Sequence, residues 1–396
     1  MPTALLLAAL AGGVFTVDDD GPADFPDLAA ADASPLVQDG DTLLVARGSY
    51  PGATLTKGLH VLAASEGGFR MGDLVVERVP AVSLVGAELT GLTLRDIPGT
   101  ALVDRCEVFA LTFVGFGVYR SSHTTAEGCD DLVLQRSRFV GADACYSGGP
   151  DLAEPAVVLS DTTAVLVDCE LRGGEDEGPD GCDPHYPTAG EALRLEPGCV
   201  VVVTGSTLRA GKHWSTPQPP AIDVQASQLV VRGTYRDLLA CHGTAPTIVL
   251  DASSSALVSG TALAPAGLPP GVTPAPVAEP VLSVEGAARL GAPQRAVLYG
   301  PRGALAVLAL APALATPRPT PLGGAGPWAP AWLDPAATLG GLVVPLRGQR
   351  LAAVVTWTLP TDPALTGGAL ATQAWVTPQA GAGPWVTNPV LVRPRP

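Results

Sequence analysis

The chain of 396 residues is short of lysine, of aromatic side chains and of long apolar runs. Only Lys57 and Lys212 are lysines, and 23 basic residues face 38 acidic ones, leaving a net charge of −15. An acidic surface repels phosphate, and no basic stripe with interleaved aromatics is present, which argues against nucleic acid as a partner. No apolar run reaches the ~18 residues a membrane-spanning helix needs. Seven cysteines without a CxxC pair exclude a disulfide scaffold and zinc-finger spacing.

What the chain has in excess is turn formers. Glycine (46) and proline (40) are too frequent for a helical bundle or a long coiled coil. Yet 47% of the residues are hydrophobic, which a disordered chain would not carry. A strand-rich, turn-rich protein of two units remains. Charge divides them: residues 1–269 hold 34 acidic and 15 basic side chains, residues 270–396 hold 4 and 8. Ala4 to Ala11, ending Ala9-Leu10-Ala11, reads as a signal segment within residues 1–13, although no Lys or Arg precedes Arg47; the alternative is a first buried apolar segment. This predicts a secreted or cell-surface protein.

An eight-residue pattern recurs: apolar, two variable, small, variable, apolar, variable, small or turn-forming. The copies are Val45–Gly52, Leu84–Gly91, Val103–Ala110, Leu134–Gly141, Leu166–Gly173, Val203–Ala210, Val230–Asp237 and Leu257–Ala264. Positions four and six share a strand face, because alternate residues point the same way. Position one breaks that parity, so a sharp bend must separate it from position four if all three face one interior. A bend repeated in every copy winds the chain into stacked coils. The pattern predicts an all-β fold, a right-handed parallel β-helix over residues 14–264. A proline-rich linker follows at 265–280, then a small β-sandwich at 281–396 with strand patterns at Arg295–Tyr299, Leu342–Val344 and Leu351–Leu359. Cys106 and Cys169 fall in the small column and should be buried and inert.

The start of the coil region adds Val14-Phe15-Thr16-Val17, the acidic turn Asp18-Asp19-Asp20-Gly21, a helical stretch to Val37 as N-terminal cap, and Gly40-Asp41-Thr42 leading to Gly48-Ser49-Tyr50. In these residues the chain resembles the pectin-lyase-like family of secreted β-helices, over roughly residues 14–265. The resemblance is specific for fold. It implies lateral loops after the small-x-apolar strand that wall a sugar-binding groove with the next strand. Here those loops are 142–155, 174–190, 211–220 and 237–246, and the outward strand positions beside them are Val158, Arg194, Asp223 and Val249.

The loops carry His185, His213 and His242, spaced 28 and 29 residues, with Tyr186 and Trp214 as stacking faces and Lys212 as a cation. Lys212 and Arg194 suit uronate carboxylates. A lyase needs a base plus a cation to hold the enolate, and a hydrolase needs two carboxylates, for which Asp180 and Asp223 are candidates. Asp176, Asp180 and Asp183 could converge on Ca²⁺, although the spacing is not that of a regular calcium loop. Cys145 and Cys182 on adjacent coils are a disulfide candidate in an exported protein. No Arg-x-Pro-x-x-Arg, Asn-Thr-Asp or Gly-His-Gly signature of the family's enzymes occurs. The expectation is therefore a non-catalytic structural, adhesive or carbohydrate-binding protein whose partner is an extracellular polysaccharide or matrix component, with no certain cofactor. Polysaccharide lyase or hydrolase activity in the groove is the alternative.

Overall fold

The computed structural model describes residues 12–65, 67–109, 124–143, 153–175, 189–212, 219–232, 248–259, 272–274, 281–286, 289–299, 304–318, 331–333, 340–346, 352–359, 361, 370–377, 385–387 and 390–394. The apolar segment before residue 12 lies outside them.

Parallel pairing dominates the first 274 residues and resolves into three faces. Sheet A takes Ala53–Leu55, Leu74–Glu77, residues 92–95 and 124–127, Val157–Ser160, Leu193–Leu195, Ile222–Val224 and Ile248–Leu250. Sheet B runs from Val14–Val17 and Thr42–Val45 through His60–Ala63, Val82–Val85, residues 101–104 and 132–135, Thr163–Val167, Val200–Thr204, Gln228–Arg232 and Ser255–Ser259. Sheet C stacks Ser49–Tyr50, Phe69–Met71, Ala87–Leu89, Glu107–Phe109, Arg138–Val140, Glu170–Arg172 and Thr207–Arg209. Each turn of the chain visits A, B and C in that order and then climbs one strand. This is a right-handed parallel β-helix, the hand that parallel crossovers favour.

The bend demanded by parity lies at the B–C corner. Its third pattern position adopts a left-handed backbone at Gly86, Arg105, Arg136, Asp168 and Gly205, with φ of 75°, 52°, 49°, 52° and 59°. The residue after it is small and turned inward. Cys106, Ser137, Cys169 and Ser206 stack there, and the Cys106 and Cys169 amides donate to the hydroxyls of Ser137 and Ser206 on the next coil, both at 3.0 Å. Burial pushes the Cys106 and Cys169 thiols up to about 12, so they stay protonated and unreactive. The A–B corner repeats the device: Asp96, Gly128, Asp161, Gly198 and Ala226 are left-handed. Cys129, Thr162, Cys199 and Ser227 follow them, and the Cys129 and Cys199 amides donate to Thr162 and Ser227 at 3.3 and 3.0 Å.

Two features depart from the sequence pattern. The 39-residue interval between Val45 and Leu84 holds two coils, because His60–Ala63 and Phe69–Met71 form a turn of their own. Its corner, residues 64–68, is longer than the octad allows. In the last two copies the inward residues are Val231 and Val258, one position later than Val230 and Leu257. The interior is otherwise aliphatic, each buried side chain contributing about 1.5–3 kcal/mol. Phe69 and Phe139 are its largest fully buried members.

The N-terminal cap is the helix Leu28–Ala33, started by the Asp27 carboxylate accepting the Ala30 amide at 2.7 Å. Leu28 and Ala31 close the end of the core. Asp32 pins the helix by accepting the Thr56 and Lys57 amides at 3.0 and 3.1 Å. At the opposite end, Val272–Pro274 adds a strand to sheet B within the stretch read as a linker.

Beyond residue 280 the pairing turns antiparallel. Val281–Glu285, Pro293–Tyr299 and Ala352–Thr358 make one sheet, and Leu305–Arg318 pairs with Ala331–Leu333, Gly340–Pro345 and Leu370–Thr377 in another. Leu282, Val284, Ala296 and Leu298 of the first meet Ala306, Leu308, Ala374 and Val376 of the second, the core of a small sandwich. This module does not hang free. Its core is continuous with Val165, Val167, Val202 and Val230 on the outer face of sheet B, and Ala309, Ala371 and Leu391 cover Leu102 and Val133.

Candidate functional site

With sheet B covered by the C-terminal module, sheet A presents an open outer face. Alternation sends Leu74 and Val76, Leu92 and Leu94, Val157 and Leu159, and Leu193 and Leu195 into the core. The residues between them stand outward in two rows that the register aligns across coils. One row is Thr54, Val75, Thr93, Thr125, Val158, Arg194, Asp223 and Val249. The other is Glu77, Arg95, Glu127 and Ser160, with Glu196 following on the next coil.

Where the two rows meet, Thr93, Arg95, Thr125, Glu127, Val158, Ser160 and Glu196 line a cavity of about 250 Å³. Its polar groups are short or braced. Arg95 lies between Glu77 and Glu127, at 3.6 and 3.4 Å, and the Thr125 hydroxyl donates to that of Thr93 at 3.4 Å. Charge alternation along a row removes the repulsion that like charges on adjacent strands would feel. The cavity thus offers hydroxyls, carboxylate oxygens and a guanidinium beside the apolar residues Leu94, Ala126 and Val158.

Further along the same face Arg194 and Asp223 are register partners. Neither spends its charge on the other: Arg194 pairs with Glu191 at 2.8 Å, and Asp223 accepts from the Gln225 side-chain amide at 2.9 Å. Val158 and Val249 flank them in the row, and Val249 is exposed.

The lateral loops leave from stems packed backbone to backbone. The Glu154 amide donates to the Ala142 carbonyl at 2.9 Å, Gly174 to Glu154 at 3.0 Å, Gly190 to Gly174 at 2.9 Å and Gly211 to Gly190 at 2.8 Å. This unbroken chain fixes the bases of loops 142–155, 174–190 and 211–220 side by side along sheet A. Glycine is required there. A Cβ on Gly174 would collide with the Ala142 carbonyl oxygen, and one on Gly190 with that of Glu154.

Among the residues singled out from sequence, the structure places Arg194, Asp223 and Lys212. Lys212 is exposed at the stem of the third loop. Asp176, Asp180, Asp183, His185, Tyr186, His213, Trp214, His242, Cys145 and Cys182 lie outside the described residues. The carboxylates that do converge among the described residues are those of Asp18, Asp19 and Asp20, whose oxygens lie within 4.8 Å of one another. Asp18 and then Asp19 raise the Asp20 carboxyl above its usual range. The sequence reading assigned this run to turn chemistry, and Asp19 does accept the Ser49 amide at 3.2 Å. The residues it missed are Thr93, Arg95, Thr125, Glu127, Ser160 and Glu196. A signal existed in the alternation: Thr93 and Arg95 lie beside the inward Leu92 and Leu94, and Ser160 follows the inward Leu159.

No family model matches the chain, and no curated protein matches it. Among solved structures it is similar to the enzymatically active domain of tailspike protein 2 of bacteriophage CBA120, at 8% identity and a TM-score of 0.35. That comparison covers 92% of this chain and 73% of the tailspike chain, and no chemistry is carried over from it. No helix among the described residues is long and apolar enough to cross a membrane.

Proposed function

We propose that the protein is a secreted or surface-exposed β-helix that binds an extracellular polysaccharide along the outer face of sheet A, without turning it over. The observation that carries this reading is the sheet A cavity, a monosaccharide-scale recess lined by Thr93, Thr125 and Ser160 hydroxyls beside the Arg95–Glu127 pair. Sugars are recognised by such mixtures: hydroxyls and carboxylates exchange hydrogen bonds with ring hydroxyls, and a guanidinium takes a carboxylate in two-point contact. The rows continue past the cavity to Arg194 and Asp223, giving a polymer further positions on adjacent coils.

One observation favours the alternative of hydrolysis, since Glu127 and Glu196 line the same cavity and a glycoside hydrolase needs two carboxylates. Against it, Glu127 already contacts Arg95 and shares it with Glu77. Titrating the full chain with uronate-containing and neutral polysaccharides in a calorimeter, while following reducing ends and unsaturated products, tests both. Saturable binding without product, lost in Ser160→Trp at unchanged melting temperature, is the expected outcome. Product formation abolished by Glu127→Gln or Glu196→Gln would replace binding with catalysis, and the absence of binding to any polymer would remove the reading.

A further inference from the structure

We propose that docking of the C-terminal module on sheet B is proton-sensitive, with His60 as the titrating group and Arg393 as the charge it faces. His60 stands on the outer face of sheet B in register with Thr42 and Ser83. The same row continues to Leu102, Val133, Val165 and Val202, the residues the module covers. Arg393 follows the strand Val390–Val392 of the module and is itself buried. His60 Nδ1 is shut away from solvent with no hydrogen-bond partner among the described residues, and the hydroxyl of its neighbour Ser83 is in the same condition.

The register neighbours Thr42 and Ser83 are uncharged. Asp41, whose backbone carbonyl accepts the His60 amide at 2.8 Å, directs its carboxylate to the Gly13 and Gln38 amides, at 2.5 and 2.7 Å. Burial first, and then the Arg393 charge, hold the His60 imidazole well below its ordinary value. A neutral ring fits this setting; an imidazolium would be desolvated and set against a guanidinium. When the module lifts away the ring regains water and an ordinary value near 6.5. The docked state therefore binds fewer protons than the undocked one. Docking is at full strength above about pH 6.5 and weakens as pH falls, by about tenfold per pH unit until the docked ring titrates. The site is distinct from the sheet A cavity, so the proposal does not depend on sugar binding.

The Leu391 amide gives a direct reporter, because its acceptor is the Gln135 side chain of sheet B at 3.1 Å and is lost on undocking. Hydrogen exchange of the full chain, corrected for the intrinsic pH dependence, should show Leu391 protection falling about fivefold between pH 6.5 and 5.5. Amides of the sheet B ladder should hold steady, and His60→Gln should flatten the Leu391 response. Arg393→Gln should shorten the fall, because the docked ring would then titrate at a higher pH. Equal protection across this range in the natural protein, or the same slope in His60→Gln, would overturn the proposal. So would an NMR titration of the intact protein in which the His60 ring titrates near 6.5, a test that needs no variant.

Discussion

The side chain of Gln135 pairs with the backbone of Leu391 in both directions, its Nε2 donating to the Leu391 carbonyl while its Oε1 accepts the Leu391 amide. The two residues are 256 positions apart. A β-helix side chain here takes the place of a neighbouring strand for the last strand of the C-terminal module. Truncation as Gln135→Ala leaves the amide of Leu391 buried without its acceptor and its carbonyl with only the Arg136 guanidinium. The expected cost is about 2–4 kcal/mol, two lost hydrogen bonds with their desolvation penalty. Thermal unfolding read by near-ultraviolet circular dichroism checks it, and a melting temperature equal to that of the natural protein would contradict it.

Beside that pair, Arg136 grips Asp104 through two contacts of 2.8 and 2.7 Å. The same guanidinium donates to the Val284 and Leu391 carbonyls, each at 3.1 Å. Asp104 is fully buried. Arg136→Ala should therefore cost up to about 3–5 kcal/mol, the penalty for breaking a buried ion pair, with only Arg105, at 3.6 Å, left beside Asp104. The double variant Asp104→Ala, Arg136→Ala should recover part of that loss in denaturant titrations. A double variant no better than the single would show that the pair itself is not the source.

The small column at the B–C corner should reject bulk. Ser206 is 4% exposed and hydrogen-bonded to both Cys169 and Thr204, whereas the adjacent Thr207 points outward and is half-buried. Ser206→Phe is expected to cost at least 3 kcal/mol through overpacking and the broken contacts, and Thr207→Phe less than about 1. Equal melting points for the two would mean that the column does not run through Ser206.

Asp131 supplies a pH dependence of opposite sign to that of His60. Burial first, and then the neighbouring Asp130, push its carboxyl up to about 6. A carboxyl raised above its unfolded value favours the protonated folded state, so stability is present at low pH and lost as pH climbs from about 4 to 6. Asp131→Asn should accordingly raise stability at pH 7.5 by about 1 kcal/mol, after discounting for solvent screening, and leave it unchanged at pH 4. Stabilisation of equal size at both values would exclude the charge as its cause.

The winding of the chain was legible because parity is a local property. Leu134, Ser137 and Phe139 can face one interior only through a bend, and the bend is there at Arg136. The left-handed residue in it was not legible. Arg105, Arg136 and Asp168 occupy positions where glycine would have announced the conformation, so the repeat offered no marker. The His60–Met71 coil escaped for a related reason: its long corner at 64–68 breaks the octad spacing. Val200-Val201-Val202-Val203, by contrast, did carry a signal. A strand apolar on both faces is covered on both, and its outward Val202 packs against the C-terminal module. The sheet A cavity was harder to see, because Arg95 and Glu127 are 32 residues apart and meet only when coils stack.

Stacked coils normally touch only their neighbours, so a solenoid can fray from an end one turn at a time. The C-terminal module grips Leu102, Val133, Val165, Val202 and Val230 at once, five successive turns of the spiral. It acts as a splint laid along a spring. Under force or denaturant, the turn built on Ile248–Leu250 and Ser255–Ser259, beyond that grip on its C-terminal side, is free to peel, while the splinted turns must let go together.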